Sequence, residues 1–200
     1  MLKKSGKARA RSRGFSLIEL MIVVVIIGIL AGIGIFSVKR YIRSSKTTEA
    51  IHLIGDIKAG QEAYLDETFG YYPISGNSVA GFDTVYPSES TDMRVKIQWN
   101  PGSVLGKKFA SIGVTPNAPV LYRYSVVAGG AADTIPTSFG KGGVGSSDYA
   151  VKGAGAPWYI VKAIGDADGN GGGTCDTVGS CGVYLSSNWT NEIYSKYPDE

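Results

Sequence analysis

The stretch GFSLIELMIVVVIIGILAGIGIF, Gly14 to Phe36, decides the reading of this chain. From Leu20 to Phe36 it is unbroken apolar sequence, and Leu17, Ile18, Ser37 and Val38 extend it at either end. As a helix rising 1.5 Å per residue, the run covers about 25 Å, close to the hydrocarbon thickness of a bilayer. One acid, Glu19, stands near its start. Lys3, Lys4, Lys7, Arg9, Arg11 and Arg13 precede it. The order is a basic leader, Gly14, Phe15, and a Glu four residues after that Phe.

An ordinary signal peptide has an apolar region of about 7–15 residues that ends at a small-residue cleavage site. This run is longer, and no such site follows before Lys39 and Arg40. The apolar stretch is therefore expected to stay in the mature protein. A plain signal anchor accounts for the length and the leading charges. It does not account for Glu19 or the Gly-Phe junction.

The segment GFSLIELMIVVVIIGILAG closely resembles the N-terminus of type IV pilins and of the related type II secretion pseudopilins. A looser likeness runs on to Tyr71-Tyr72-Pro73. The resemblance implies that a prepilin peptidase cuts after Gly14 on the cytoplasmic side. It further implies that the new N-terminal Phe15 is N-methylated, and that Glu19 is needed for subunits to join a filament. One position departs from the family pattern: Phe36 stands where the family usually has Pro, which removes the usual source of a kink there.

The net charge of +3 belongs to the leader. Without its six basic residues, 14 bases face 17 acids, a net −3. A nucleic-acid partner is thus not indicated. Three segments follow: a leader over 1–14, a helix over 15–69 with a stem over about 15–38, and an extracytoplasmic β domain over 70–200. Leader charge favours a cytoplasmic N-terminus, although Lys39, Arg40, Arg43 and Lys46 follow the span. Within the stem, Gly28 and Gly32 form GxxxG with Gly34 close by, small residues that let helix backbones approach.

Beyond the stem, Ala50, Ile54, Ile57, Gln61, Tyr64 and Thr68 recur at helical spacing, with Ile51 and Leu65 beside them. Gly70 reads as the C-cap and Pro73 as the stop. His52, the only histidine, reads as a solvated residue rather than a ligand. Four segments read as strands: Met93–Trp99, Val120–Val127, Trp158–Ile164 and Gly182–Ser187. Residues 70–92 and 128–157 read as irregular. With no crossover helices between the strands, an antiparallel sheet is expected. The fold class is α+β: a long N-terminal helix packed on a C-terminal antiparallel sheet, as the resemblance also implies.

Cys175 and Cys181 lie close enough in sequence to close a short loop outside the cytoplasm, with two free thiols as the alternative. Asp166, Asp168 and Asn170, followed by Gly171, match the opening of a calcium loop. Thr177 stands where such a loop wants Glu, and a tight turn is the competing reading. Asn188-Trp189-Thr190 fits a glycosylation sequon that also arises by chance. One histidine on a helix supports no catalytic triad, and no phosphate-binding loop matches.

The sequence is thus read as a structural filament subunit, not an enzyme, with no cofactor unless calcium binds. Its partners, as the resemblance implies, are further copies in a helical filament, the prepilin peptidase, and an assembly platform with its ATPases. Its place is the inner membrane, then a surface pilus serving adhesion, twitching motility or DNA uptake. The alternatives are a pseudopilin, a minor pilin, and a signal-anchored membrane protein with a ligand-binding domain.

Overall fold

The computed structural model describes residues 14–88, 90, 92–146, 149, 155–169, 172–173, 175 and 181–196, apart from the side chain of Phe36. Helix α1 runs Leu17–Thr68. The chain divides into two compact units, Met1–Arg40 and Tyr41–Glu200.

In the second unit, α1 presents the expected stripe as far as Tyr64, while Thr68, expected at its end, is exposed. Ala50, Leu53, Ile54, Ile57 and Gln61 are buried, and Tyr64 is packed at their edge. Ile51, expected beside the stripe, turns outward and is 44% exposed. The helix stops one residue before the expected cap. Phe69, not Gly70, takes the left-handed conformation, with φ of 60°, and its side chain lies in solvent.

The sheet has four antiparallel strands in sequence order: β1 (Arg123–Gly129), β2 (Trp158–Gly165), β3 (Gly182–Ser187) and β4 (Thr190–Lys196). Alternation decides what each face covers. Tyr124, Val126, Tyr159, Val161, Ala163 and Tyr184 join Leu53, Ile54 and Ile57 of α1 in one core. Val127, Trp158, Ile160, Ile164, Val183 and Leu185 form a second core on the opposite face.

That second core is covered by the segment read as a long loop. Within it, Phe139 N–H donates to Val144 O at 3.0 Å and Ser146 N–H to Thr137 O at 2.9 Å. Gly142 and Gly143 turn the chain between them with φ of 92° and 65°. Phe139, Val144 and Tyr149 are thereby set over Trp158 and Val183 in one cluster. Lys162 is fully buried in this face. Its ammonium donates to Phe139 O at 2.9 Å and lies 5.9 Å from the centre of the Phe82 ring.

The expected strand over Met93–Trp99 does not form. Asp92 receives the Arg94 backbone N–H at 2.9 Å, which closes a turn at its start. The buried Arg123 guanidinium takes the Asp92 and Val95 carbonyls, so they are spent before any ladder begins. Only Ile97 pairs with Val120, as an isolated bridge. In place of the strand, the chain passes through Ser103, which caps α2 (Val104–Ser111) by accepting the Gly106 N–H at 3.0 Å.

Polar side chains of α1 tie the helix to the domain. Lys46 donates to Ala167 O at 2.8 Å and Lys58 to Thr190 O at 2.7 Å. Glu49 accepts the Leu121 N–H and pairs with Lys96 at 2.7 Å. Gly60 permits the closest approach: a Cβ there would lie 2.1 Å from the Ile112 carbonyl oxygen.

Candidate functional site

The residues of the Gly-Phe junction are described from Gly14 onward. Gly14, Phe15 and Ser16 precede the helix, and Phe15 is 80% exposed. The Ser16 carbonyl accepts the N–H groups of Glu19 and Leu20 at 3.1 and 3.2 Å, which starts the first turn. Glu19 therefore sits in that turn, where the positive end of the helix dipole favours a carboxylate by about 0.3–1 kcal/mol. Gly14, Phe15 and Glu19 fall within six consecutive residues, as their spacing requires.

Beyond them every described apolar side chain of the stem faces outward. Leu17, Met21, Val24, Ile27, Leu30, Ile33 and Val38 are all exposed. A soluble helix hides one face of such a sequence; this one hides none. The helix is also long and apolar enough to cross a membrane. Gly28, Gly32 and Gly34 have open space where a Cβ would stand. Among the described residues nothing comes within 4 Å of such a Cβ, which leaves these positions open to close approach by another helix.

The cysteines meet. Cys175 and Cys181 form a disulfide with Cα atoms 5.3 Å apart, both buried in the second core. Residues 176–180 of the loop it closes lie outside the described residues. Cys175 itself has φ of 54°, a conformation that non-glycine residues seldom adopt.

The proposed calcium ligands are only partly placed. Asp166 is buried, and its Oδ2 accepts the Gly173 N–H at 3.1 Å. Its backbone N–H reaches Met93 O at 3.3 Å, so the residue braces the loop against residues 92–94. Its Oδ1 is buried without a hydrogen-bond partner among the described residues. Asp168 carries interactions of its own, and Asn170 lies outside the described residues. Among the described residues, no three His, Cys, Asp or Glu side chains come together as a metal centre.

His52 is exposed as expected, with Nδ1 3.3 Å from Asp56 Oδ2 one turn along. Asn188 of the sequon is engaged, its amide bonding Pro157 O and the Tyr159 N–H at 3.3 Å each. Sequence reading passed over the Glu62 carboxylate, which receives the hydroxyls of Tyr71 and Tyr159 at 3.3 and 3.4 Å. Burial, then the Glu62 charge, hold both phenols above their ordinary range, Tyr71 at about 12. The signal was present in the two tyrosines, but their meeting with Glu62 depends on tertiary packing.

The family described as the prokaryotic N-terminal methylation motif matches residues 9–35. Fimbrial protein EcpC of Eikenella corrodens is 42% identical over 69 residues, 34% of this chain and 44% of the relative. Type IV major fimbrial protein FimA of Dichelobacter nodosus is 29% identical over 127 residues, 54% of this chain and 79% of the relative. Type IV major pilin protein PilA of Myxococcus xanthus is 44% identical over 61 residues, 30% of this chain and 28% of the relative. The chain thus spans less than half the length of EcpC and PilA. No solved structure matches the chain. A methylation motif laid across the Gly14–Phe15 junction, an apolar helix whose described side chains all face outward, and a series of fimbrial relatives converge: over its N-terminal part this chain is similar to type IV pilins.

Proposed function

We propose that this protein is a structural subunit of a type IV pilus filament. Prepilin peptidase removes residues 1–14, Phe15 is N-methylated, and the stem holds the subunit in the inner membrane. Subunits then leave the membrane by packing stem on stem, driven by a platform and its ATPases. The observation that supports this best is the stem, whose side chains are exposed all round and whose glycines face open space. Such a surface needs lipid first and other stems afterwards. Left in water, each exposed Leu, Ile or Val would cost about 1.5–3 kcal/mol, so the stem has to pass from lipid to other stems without meeting water.

The test is to shear surface filaments from cells and measure the chain's abundance and the mass of its N-terminal peptide. The reading requires this chain as a dominant band beginning at methylated Phe15. A chain that keeps Met1 is a signal-anchored protein instead. Processed chain absent from long filaments is a pseudopilin or a minor pilin.

The buried and unbonded Asp166 Oδ1 favours calcium at the loop that opens there as a secondary proposal. Calorimetry of the full chain in detergent decides it, and no heat at millimolar calcium rejects the ion.

A further inference from the structure

An open groove of about 770 Å³ lies between the second half of α1 and the segment from Gly113 to Pro119. Its floor is apolar: Leu53, Ile112, Val114 and Val120. Glu49, His52 and Asp56 form the α1 wall, and Lys96 joins it. Two carboxylates face one ammonium there, Glu49 with Lys96 at 2.7 Å and Asp56 beside His52 at 3.3 Å. The volume suits several large side chains rather than water alone.

The opposite chemistry stands exposed on the same helix. Tyr41 is 76% and Ile42 48% exposed, and the base Arg43 follows them. This collar is apolar with a base at its end. The groove is apolar at its floor and acidic along one wall.

We infer that in the filament this groove receives the collar of a second copy. Tyr41 and Ile42 pack against the exposed rim of the groove at Ala118 and Pro119, above its buried floor, and Arg43 approaches Asp56. The inference rests on the filament reading and says which face of the domain completes it. Collar and groove are different surfaces, so the contact is head-to-tail and repeats without closing, as a filament requires. Tyr41 and Leu53 are twelve residues apart on α1. Two parallel helices bring one to the other when shifted by about 18 Å. Stem packing holds the second copy close, which makes even a modest groove contact effective through local concentration. A free basic peptide would lack that advantage.

The test uses the full-length chain with Tyr41→Cys and Ala118→Cys, keeping the native Cys175–Cys181 bridge. Sheared filaments are oxidised and run on a non-reducing gel beside filaments of each single variant. A ladder of multimers from the double variant alone is expected. Filaments that stay monomeric on the gel overturn the inference and leave the collar as an interfacial membrane anchor. Where the double variant does not assemble, charge reversal decides. Asp56→Arg is expected to lower filament yield at least fivefold, and Arg43→Asp in the same chain to restore it. Yield that Asp56→Arg leaves unchanged, or that Arg43→Asp fails to restore, overturns the docking. If the unaltered chain makes no filament at all, the filament reading fails and this inference fails with it.

Discussion

Gln61 of α1 and Tyr72 bond to each other twice. The Gln61 amide nitrogen donates to Tyr72 O at 2.9 Å, and its oxygen accepts the Tyr72 N–H at 2.8 Å. One side chain thus takes both backbone groups of the first turn after the helix, from a fully buried position. Gln61→Leu keeps the volume and orphans the Tyr72 N–H, while Tyr72 O keeps the Ile74 N–H at 3.0 Å. A buried orphan costs about 1–3 kcal/mol, so the variant should lose on the order of 2 kcal/mol. Urea unfolding of the full chain in detergent measures it. A loss below about 0.5 kcal/mol would mean that water satisfies Tyr72 instead.

Two glycines of the same helix should respond oppositely to Ala. At Gly60 a Cβ would sit 2.1 Å from a backbone carbonyl, whereas at Gly55 it meets nothing within 4 Å. Gly55→Ala should stabilise by about 0.5–1 kcal/mol through helix propensity. Gly60→Ala gains the same propensity but must push Ile112 away, and overpacking costs about 1–3 kcal/mol. Melting curves of the two variants should therefore move in opposite directions. Two shifts of the same sign would refute the close approach.

Lys162 sets an alkaline signature. Burial, partly offset by the Asp83 charge, lowers its pKa from 10.5 to about 8. Below about pH 8 the amine is charged in both folded and unfolded chains and adds no slope. Between about 8 and 10.5 the unfolded chain holds the proton and the folded chain does not, so stability rises with pH. The rise from this group should total about 3 kcal/mol. Lys162→Met should flatten that part of the curve. Unfolding free energies at pH 7.5, 9 and 10 check it, and an unchanged slope in the variant would reject Lys162 as its source.

Processing should depend on Gly14. Its missing side chain lets a peptidase approach the backbone, and Gly14→Leu should leave uncut precursor in the membrane. Peptide mass decides, and chains of the variant that still begin at Phe15 would rule out this junction.

How far the sequence could be read followed from how local the controlling interactions are. The junction, the stem and the α1 stripe were legible because leader charge, run length and helical spacing are all local. β2 and β3 were legible as short runs rich in Val, Ile and Tyr. Met93–Trp99 alternates as well as any strand, but the Arg123 guanidinium, distant in sequence, takes the Val95 carbonyl within it and the Asp92 carbonyl just before it. β4 went unseen because Ile193 and Tyr194 are adjacent and only partly buried, which hides the alternation. The second core was missed because Phe139, Val144 and Tyr149 are scattered through Gly-, Ser- and Ala-rich sequence. The disulfide was legible because a membrane helix would place both cysteines outside the cytoplasm, whereas their burial in that core was not.

The central claim is assembly through the stem, and Glu19 is its sharpest point. A carboxylate within a membrane helix costs up to about 2.5–3.5 kcal/mol at the centre and less near the interface. It is best retained by pairing with the α-amine of processed Phe15, its own or a neighbour's, where low dielectric strengthens the attraction. The measurement is electron microscopy of surface filaments from Glu19→Ala cells, beside an immunoblot of processed subunit. The account predicts normal amounts of processed subunit and no filaments. Normal piliation by Glu19→Ala would contradict it and leave the carboxylate as nothing more than a first-turn helix residue.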